Sequence, residues 1–300
     1  MNLSGLLARV AEDAGFPDIR ELSRAGTGTR VEAPSALHPL VVAELTRTRA
    51  GGPVFVVTAT GREAEDLATT LPDLVPGVRV EVFPSWETLP HERLSPSSDT
   101  VGRRVAVLHR LAHPETSEPI DVVVTSVRAF LQPVVAAIAD VVPIRLRAGD
   151  EHALETVVEE LVALGYERND LIERRGQVAV RGGILDVFPP TEEHPLRVEF
   201  WGDTVEEVRS FSVADQRSLE LAPDGLLAPA VRELLLTPQV RERAAALALS
   251  HPHLADMCDK LAQGIAVEGM ESLAPVLTDG MAIPIELVPG TASVVLLEPE

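Results

Sequence analysis

The sequence predicts an α/β protein in which a parallel-sheet domain is interrupted by a small α+β domain. Three observations predict it. Short valine-rich runs, PVFVVTA (53–59), VRVEVFP (78–84) and DVVVTS (121–126), alternate with helical stretches early in the chain. Strands of that composition are buried on both faces, and strands alternating with helices build parallel sheets. From about Arg174 the pattern changes to period two, as in LRVEFWGDTVEEV (196–208), which marks strands with one buried face. Helical periodicity returns from about Leu221, before a strand-like VVLLEP (294–299).

The elements follow in order. Leu3, Leu6, Leu7 and Val10 recur at helical spacing, so 2–25 read as an amphipathic helical lead, and AGTGTR (25–30) as a turn. Helices are predicted at 38–50, 61–71 and 99–112, before and between the three valine-rich strands, and 127–138 is expected to contain another after the third. A long helix, ALETVVEELVALGY (153–166), leads into the strand-rich block 174–218. In that block Leu196, Val198 and Phe200 fall on one face, and Arg197, Glu199 and Trp201 on the other. Gly202-Asp203 is a two-residue turn favouring positive φ, which predicts a tight hairpin. Helices at 231–249 and 254–263 follow, and the last strand ends the chain in the manner of a fragment of something longer. This last part holds no complete core of its own, so it is expected to pack back on the first domain. The domains then read 1–139, 140–219 and 220–300.

Composition narrows the function. The net charge of −20 opposes a role as the main grip on nucleic acid, because phosphate binding is driven by lysine and arginine. No apolar run is long enough to span a bilayer, and MNLSGLLARVAEDAGF lacks the basic start and small-residue cleavage site of a secretory signal. The single cysteine, Cys258, permits no internal disulfide and no cysteine-rich zinc site, which fits a reducing cytoplasm.

The search for catalytic chemistry returns little. A phosphate loop of the form GxxxxGK[ST] needs a lysine for the β/γ oxygens. Lys260 is the only lysine, and it lies in CDKLAQG, with no glycine before it and no hydroxyl after it. VEAPSALHPLVVAEL (31–45) has the strand–loop–helix outline of such a unit, but its loop, Ala33, Pro34, Ser35, Ala36, Leu37 and His38, contains no glycine. No phosphate-binding or other cofactor site is expected from it. His251 and His253 read as a helix start rather than a metal site, and Cys258 as a small core residue rather than a nucleophile. No G-x-S-x-G, H-E-x-x-H or glycine-rich dinucleotide loop appears, so no catalytic residue and no metal ligand is assigned. FPSWETLPHERLSPSSDTVGRR (83–104) is kept extended by Pro84, Pro90 and Pro96. Trp86 and Leu89 either pin this loop to the core or mark the border of a nucleotide or nucleic-acid groove.

Two segments carry a family resemblance. FPSWETLPHERLSPSSDTVGRR, and RRGQVAVRGGILDVFPP with LRVEFWGDTVEEVRSFSVADQRS, resemble the amino-terminal, UvrB-like region of transcription-repair coupling factors, the Mfd family. The resemblance runs over essentially the whole chain. It implies an α/β domain with a degenerate phosphate loop, interrupted by a domain that binds the excision-repair protein UvrA. It also implies that ATP and magnesium, DNA translocation and displacement of stalled RNA polymerase belong to further domains of a longer protein. A distal domain of that protein would mask the UvrA-facing surface until the motor is engaged.

Site residues carry over one at a time. Arg181 in VRGG matches an arginine of the UvrA-facing surface, and Arg197 and Glu199 in RVEF match charged positions of the same surface in UvrB. UvrB has another arginine where this chain has Ala179, so part of that contact differs here. Arg168 and Phe211 are further candidates by position. The alternatives are an active UvrB-type helicase or ATPase and a nucleic-acid-binding module. The missing lysine opposes the first, and the net charge the second.

Overall fold

The computed structural model describes residues 3–12, 28, 30–49, 51–89, 92–287 and 290–298. In chain order the strands are β1 (Val54–Thr58), β2 (Val80–Phe83), β3 (Val122–Ser126), β4 (Val134–Val135), β5 (Ile144–Leu146), β6 (Glu167–Arg168), β7 (Gln177–Arg181), β8 (Ile184–Val187), β9 (Leu196–Trp201), β10 (Thr204–Phe211), β11 (Ser218–Leu221), β12 (Leu226–Ala228), β13 (Met281–Ala282) and β14 (Ser293–Leu296). The α-helices are α1 (Ser4–Ala11), α2 (His38–Thr48), α3 (Gly61–Leu74), α4 (Ser98–Ala112), α5 (Val127–Leu131), α6 (Leu154–Ala163), α7 (Pro238–Ser250), α8 (Ala255–Ala262) and α9 (Ala274–Leu277). Contacts group the chain into two compact units, Met1–Ser85 with Arg110–Pro133 and Ile283–Glu300, and Trp86–His109 with Val134–Ala282.

The first unit is built on a four-stranded parallel sheet in the order β14-β1-β3-β2. Its central strands, VFVVT and VVVTS, are buried at every position, which explains their continuous apolar composition. Val42, Leu71, Val56, Val122 and Val124 join one core cluster, with helices α1, α2 and α3 contributing to it. Each such side chain, fully withdrawn from water, stabilises the fold by about 1.5–3 kcal/mol before entropy is counted. α3 starts at a capping box. The Thr60 hydroxyl accepts from the Glu63 N–H, and the Glu63 carboxylate accepts from the Thr60 N–H.

The second unit is built on a six-stranded sheet in the order β11-β10-β9-β8-β7-β6, antiparallel except for the parallel β6–β7 pair. The β9–β10 hairpin turns at Gly202-Asp203, with Gly202 at φ 61°. The β7–β8 hairpin turns at Gly182-Gly183, with Gly182 at φ 62°. Both glycines hold a left-handed conformation that a side chain would strain. Trp86 lies in this unit, nearly buried, and its indole N–H donates to Glu233 at 3.0 Å. Glu233 also receives the fully buried Arg104 at 2.7 Å. Of the two readings of this loop, Trp86 serves as a pin, whereas Leu89 is exposed.

Several elements differ from expectation. The stretch 127–138 does contain a helix, α5, which stops at Leu131 because the residue before Pro133 is pushed out of the helical region. Val134–Val135 then pair with Met281–Ala282. The helix expected over 231–249 starts only at Pro238, with the Thr237 side chain capping Val240 N–H. Val31 and Glu32, which precede the loop in the strand–loop–helix outline of 31–45, form no strand. α1 covers the start of the predicted lead; residues 13–25, and most of the turn at 25–30, lie outside the described residues. The grouping of contacts also departs from the division at 220. β12 pairs with β5, and residues through Ala282 count with the second unit, so only the stretch from Ile283 joins the first.

Candidate functional site

The charged face of the six-stranded sheet is the candidate site. Strand alternation sorts the side chains. Val178, Leu185, Val187, Leu196, Val198 and Phe200 are buried on one face. The opposite face carries Ala179 and Arg181 from β7, Asp186 from β8, Arg197, Glu199 and Trp201 from β9, and Glu207 and Arg209 from β10.

Asp186 organises this face. It is 1 % exposed and lies across from Ala179 on one side and Arg197 on the other. Arg197 donates to it twice, Nε to Oδ1 at 2.7 Å and Nη2 to Oδ2 at 2.9 Å, in a bidentate fork. Arg181 Nη2 donates to the same Oδ2 at 2.9 Å. Hydrogen bonding to Asp186 raises the pKa of Arg197, against the effect of burial, and the charges of Asp186 and Glu199 raise it further. The Arg197 guanidinium lies 4.7 Å from the centre of the Phe211 ring. It also donates to the Gln216 carbonyl at 3.3 Å. Arg209, bonded to Glu207 at 2.5 Å, has its pKa raised by that bond.

The predicted residues do not all come together. Arg181, Arg197 and Glu199 share the face. Arg168 does not: β6 pairs it with Val178, so register puts it in the row of Val178 and Val187, on the other side. Phe211 faces the right way but is fully buried. It packs with Ile172, Ala179 and Phe188, so it supports Arg197 from below and offers no surface to a partner. Ala179 belongs to the same cluster, which explains why a small apolar residue suits that position. Sequence reasoning missed Asp186. The available signal was a lone carboxylate between Leu185 and Val187 in an otherwise apolar strand, a position that needs a buried cation or several donors.

The segment Ala33–His38 lies in the first unit. Ser35–Leu37 form one 3-10 turn that runs into α2. A cleft of about 410 Å³ opens there, lined by Ser35, His38, Thr58, Glu63, Asp66 and Glu298 among others. Thr58 ends β1, and Glu298 lies just beyond β14, so the cleft sits at the carboxyl ends of parallel strands, where α/β sheets commonly hold ligands. Three of its lining residues are carboxylates, which repel phosphate. Among the described residues no cluster of His, Cys, Asp and Glu is placed to hold a metal ion, and no helix is long and apolar enough to cross a membrane.

Comparison with known proteins converges on the same sheet. Residues 144–232 match the family model of the UvrB interaction domain. That span contains all six strands of the sheet and its charged face. The transcription-repair-coupling factor of Mycobacterium tuberculosis is 52% identical over 281 residues, covering 89% of this chain and 22% of the relative. This chain resembles the UvrB-like, amino-terminal region of the transcription-repair coupling factors. The corresponding factor of Bacillus subtilis is 32% identical over 193 residues, covering 64% of this chain and 16% of the relative. UvrABC system protein B of Natronomonas pharaonis is 29% identical over 187 residues, covering 59% of this chain and 27% of the relative. The chain therefore spans between 16% and 27% of the length of these relatives. Its likeness is to one UvrB-like region of such longer proteins.

Proposed function

We propose that this chain recruits UvrA to stalled transcription complexes through the charged face of its six-stranded sheet, within residues 140–219. One observation carries the reading: the stretch that matches the UvrB interaction domain places Arg181, Arg197 and Glu199 on one sheet face, with the two arginines held by a buried carboxylate. Charged pairs across an interface give specificity and steer association. Arg181, about half exposed and bonded to Asp186 through Nη2 alone, keeps further N–H groups for a carboxylate on a partner, while Arg197 is held by Asp186.

The same reading makes Ala33–His38 a phosphate loop that has lost its function, so that this chain hydrolyses no ATP. The absence of a glycine and a lysine there, and the carboxylates of the adjoining cleft, support it. ATP and magnesium binding, movement on DNA and displacement of RNA polymerase are assigned to other domains of a longer protein. One of those domains covers the UvrA-facing surface at rest, and its release shifts the population toward the open form.

Titration of purified UvrA against this chain tests the proposal, with Arg181→Ala in parallel. Removing one partner of a buried charged pair at an interface costs about 2–5 kcal/mol. The expected result is binding by the unsubstituted chain and a loss in that range for the variant. No binding by the unsubstituted chain sinks the proposal, and equal binding by the variant sinks the role of Arg181. ATP turnover by this chain above the buffer rate would restore the ATPase reading.

A further inference from the structure

We propose that Trp201 is an aromatic platform for a cationic side chain, an arginine or lysine, of the protein that docks on this face. The inference rests on the reading of the face as the UvrA contact and adds the residue that anchors it.

Trp201 ends β9 at the tip of the β9–β10 hairpin and is 77 % exposed, in contrast to the nearly buried Trp86. Tryptophan carries a large apolar surface, and a chain leaves so much of it in water only where nothing of its own covers it. The tip that presents it is braced. Trp201 pairs with Thr204 across the turn. The 149–152 segment adds three backbone hydrogen bonds: Gly149 N–H to the Val205 carbonyl at 2.8 Å, Val205 N–H to the Asp150 carbonyl at 2.9 Å, and His152 N–H to the Asp203 carbonyl at 2.7 Å. Glu151 bridges to Thr204. A ring on such a tip is pre-organised, so little order is lost when a partner meets it.

The charge around the tip selects the partner group. Asp203, Glu206 and Glu151 are exposed on the turn and its brace, and Glu199 lies two residues before Trp201 on the same strand face. The arginines of this face are already engaged, Arg181 and Arg197 by Asp186 and Arg209 by Glu207. Arg147 is the basic residue of the bracing turn. The indole face is itself electron-rich and attracts cations, more so than tyrosine or phenylalanine. An aromatic face surrounded by carboxylates, on a chain of net charge −20, complements a basic side chain.

The test compares Trp201→Phe, Trp201→Leu and Trp201→Ala in UvrA titrations, with thermal unfolding as the folding control. The expected result is a loss of about tenfold or more for the alanine and leucine variants, as for an interface anchor, and a loss of a few-fold for phenylalanine, which keeps a π face. A second readout uses the chain labelled with 5-fluorotryptophan, which has two resonances, the Trp201 signal being the one lost in Trp201→Phe. That signal is expected to shift when unlabelled UvrA is added. Affinity unchanged in Trp201→Ala, or a Trp201 signal unmoved at saturating UvrA, overturns the inference while the UvrA reading stands. Full affinity in Trp201→Leu also overturns it, since an aliphatic side chain fills an apolar pocket but offers no π face. No binding by the unsubstituted chain overturns both.

Discussion

Replacing Asp186 with alanine removes the carboxylate on which the charged face is assembled. Three hydrogen bonds converge on it, at 2.7 and 2.9 Å from Arg197 and 2.9 Å from Arg181. The Asp186 side chain is 1% exposed and that of Arg197 12%, so the pair is essentially buried. Breaking a buried pair by removing one partner costs about 3–5 kcal/mol, because the remaining charge is left uncompensated. Arg197 retains the Gln216 carbonyl and the Phe211 ring, which places the cost near the lower end, about 3 kcal/mol. Arg181, 48% exposed, adds at most about 1 kcal/mol. The expected total is therefore about 3–4 kcal/mol. Urea unfolding followed by circular dichroism at neutral pH measures it, as a lowered midpoint at unchanged slope. Asp186→Asn keeps acceptor oxygen but loses the charge, so it falls between wild type and alanine, down by about 1.5–3 kcal/mol. A midpoint for Asp186→Ala within error of wild type would refute the argument that this carboxylate organises the face. An asparagine variant less stable than the alanine variant would refute the charge-pairing part of it.

Three other outcomes are expected. Glu233→Ala leaves Arg104, which is fully buried, without the carboxylate that it bonds at 2.7 Å, and calorimetry of the variant is expected to show a loss of about 3–5 kcal/mol. Burial acts to raise the Asp121 carboxyl, but bonds from the Arg79 side chain and backbone and the nearby charge of Arg49 hold it below the ordinary carboxylate range. Its contribution is present above the unfolded value of about 3.9 and is lost as pH falls through the lower folded value, so Asp121→Asn is expected to flatten acid unfolding below about pH 4. Cys258 is fully buried, and burial, followed by the charge of Asp259, raises its thiol pKa. Alkylation by iodoacetamide is expected to be slow in the folded protein and fast in urea, and equal rates in the two conditions would contradict this packing.

Much of the fold was legible because its signals are local. Valine-rich runs marked β1, β2 and β3; the central β1 and β3, buried on both faces, are apolar over their first three positions, whereas the edge strand β2 is partly exposed and carries Glu81. Alternation from Leu196 onward, with Gly202-Asp203 between, marked the β9–β10 hairpin and assigned Leu196, Val198 and Phe200 to the covered face. The misplaced elements were those in which one proline or one distant pairing overrode a helical pattern. Pro133 ended α5, and Val134–Val135 found a partner nearly 150 residues away, at Met281–Ala282. Periodicity carries no information about such a partner.

The sequence by itself determined that a phosphate loop of the GxxxxGK[ST] type cannot form here, because the one lysine, Lys260, has neither the glycine before it nor the hydroxyl after it. It also determined that Arg197, Glu199 and Trp201 share one strand face, because alternation is a property of the backbone. Only the tertiary structure decided which residues of that face reach its surface and which support it. Register across five strand pairs moved Arg168 to the opposite side, buried Phe211 beneath a guanidinium, and brought Asp186 between two arginines from neighbouring strands. Those are relations among residues far apart in the chain, and they are fixed by hydrogen-bonded register and packing rather than by any local pattern.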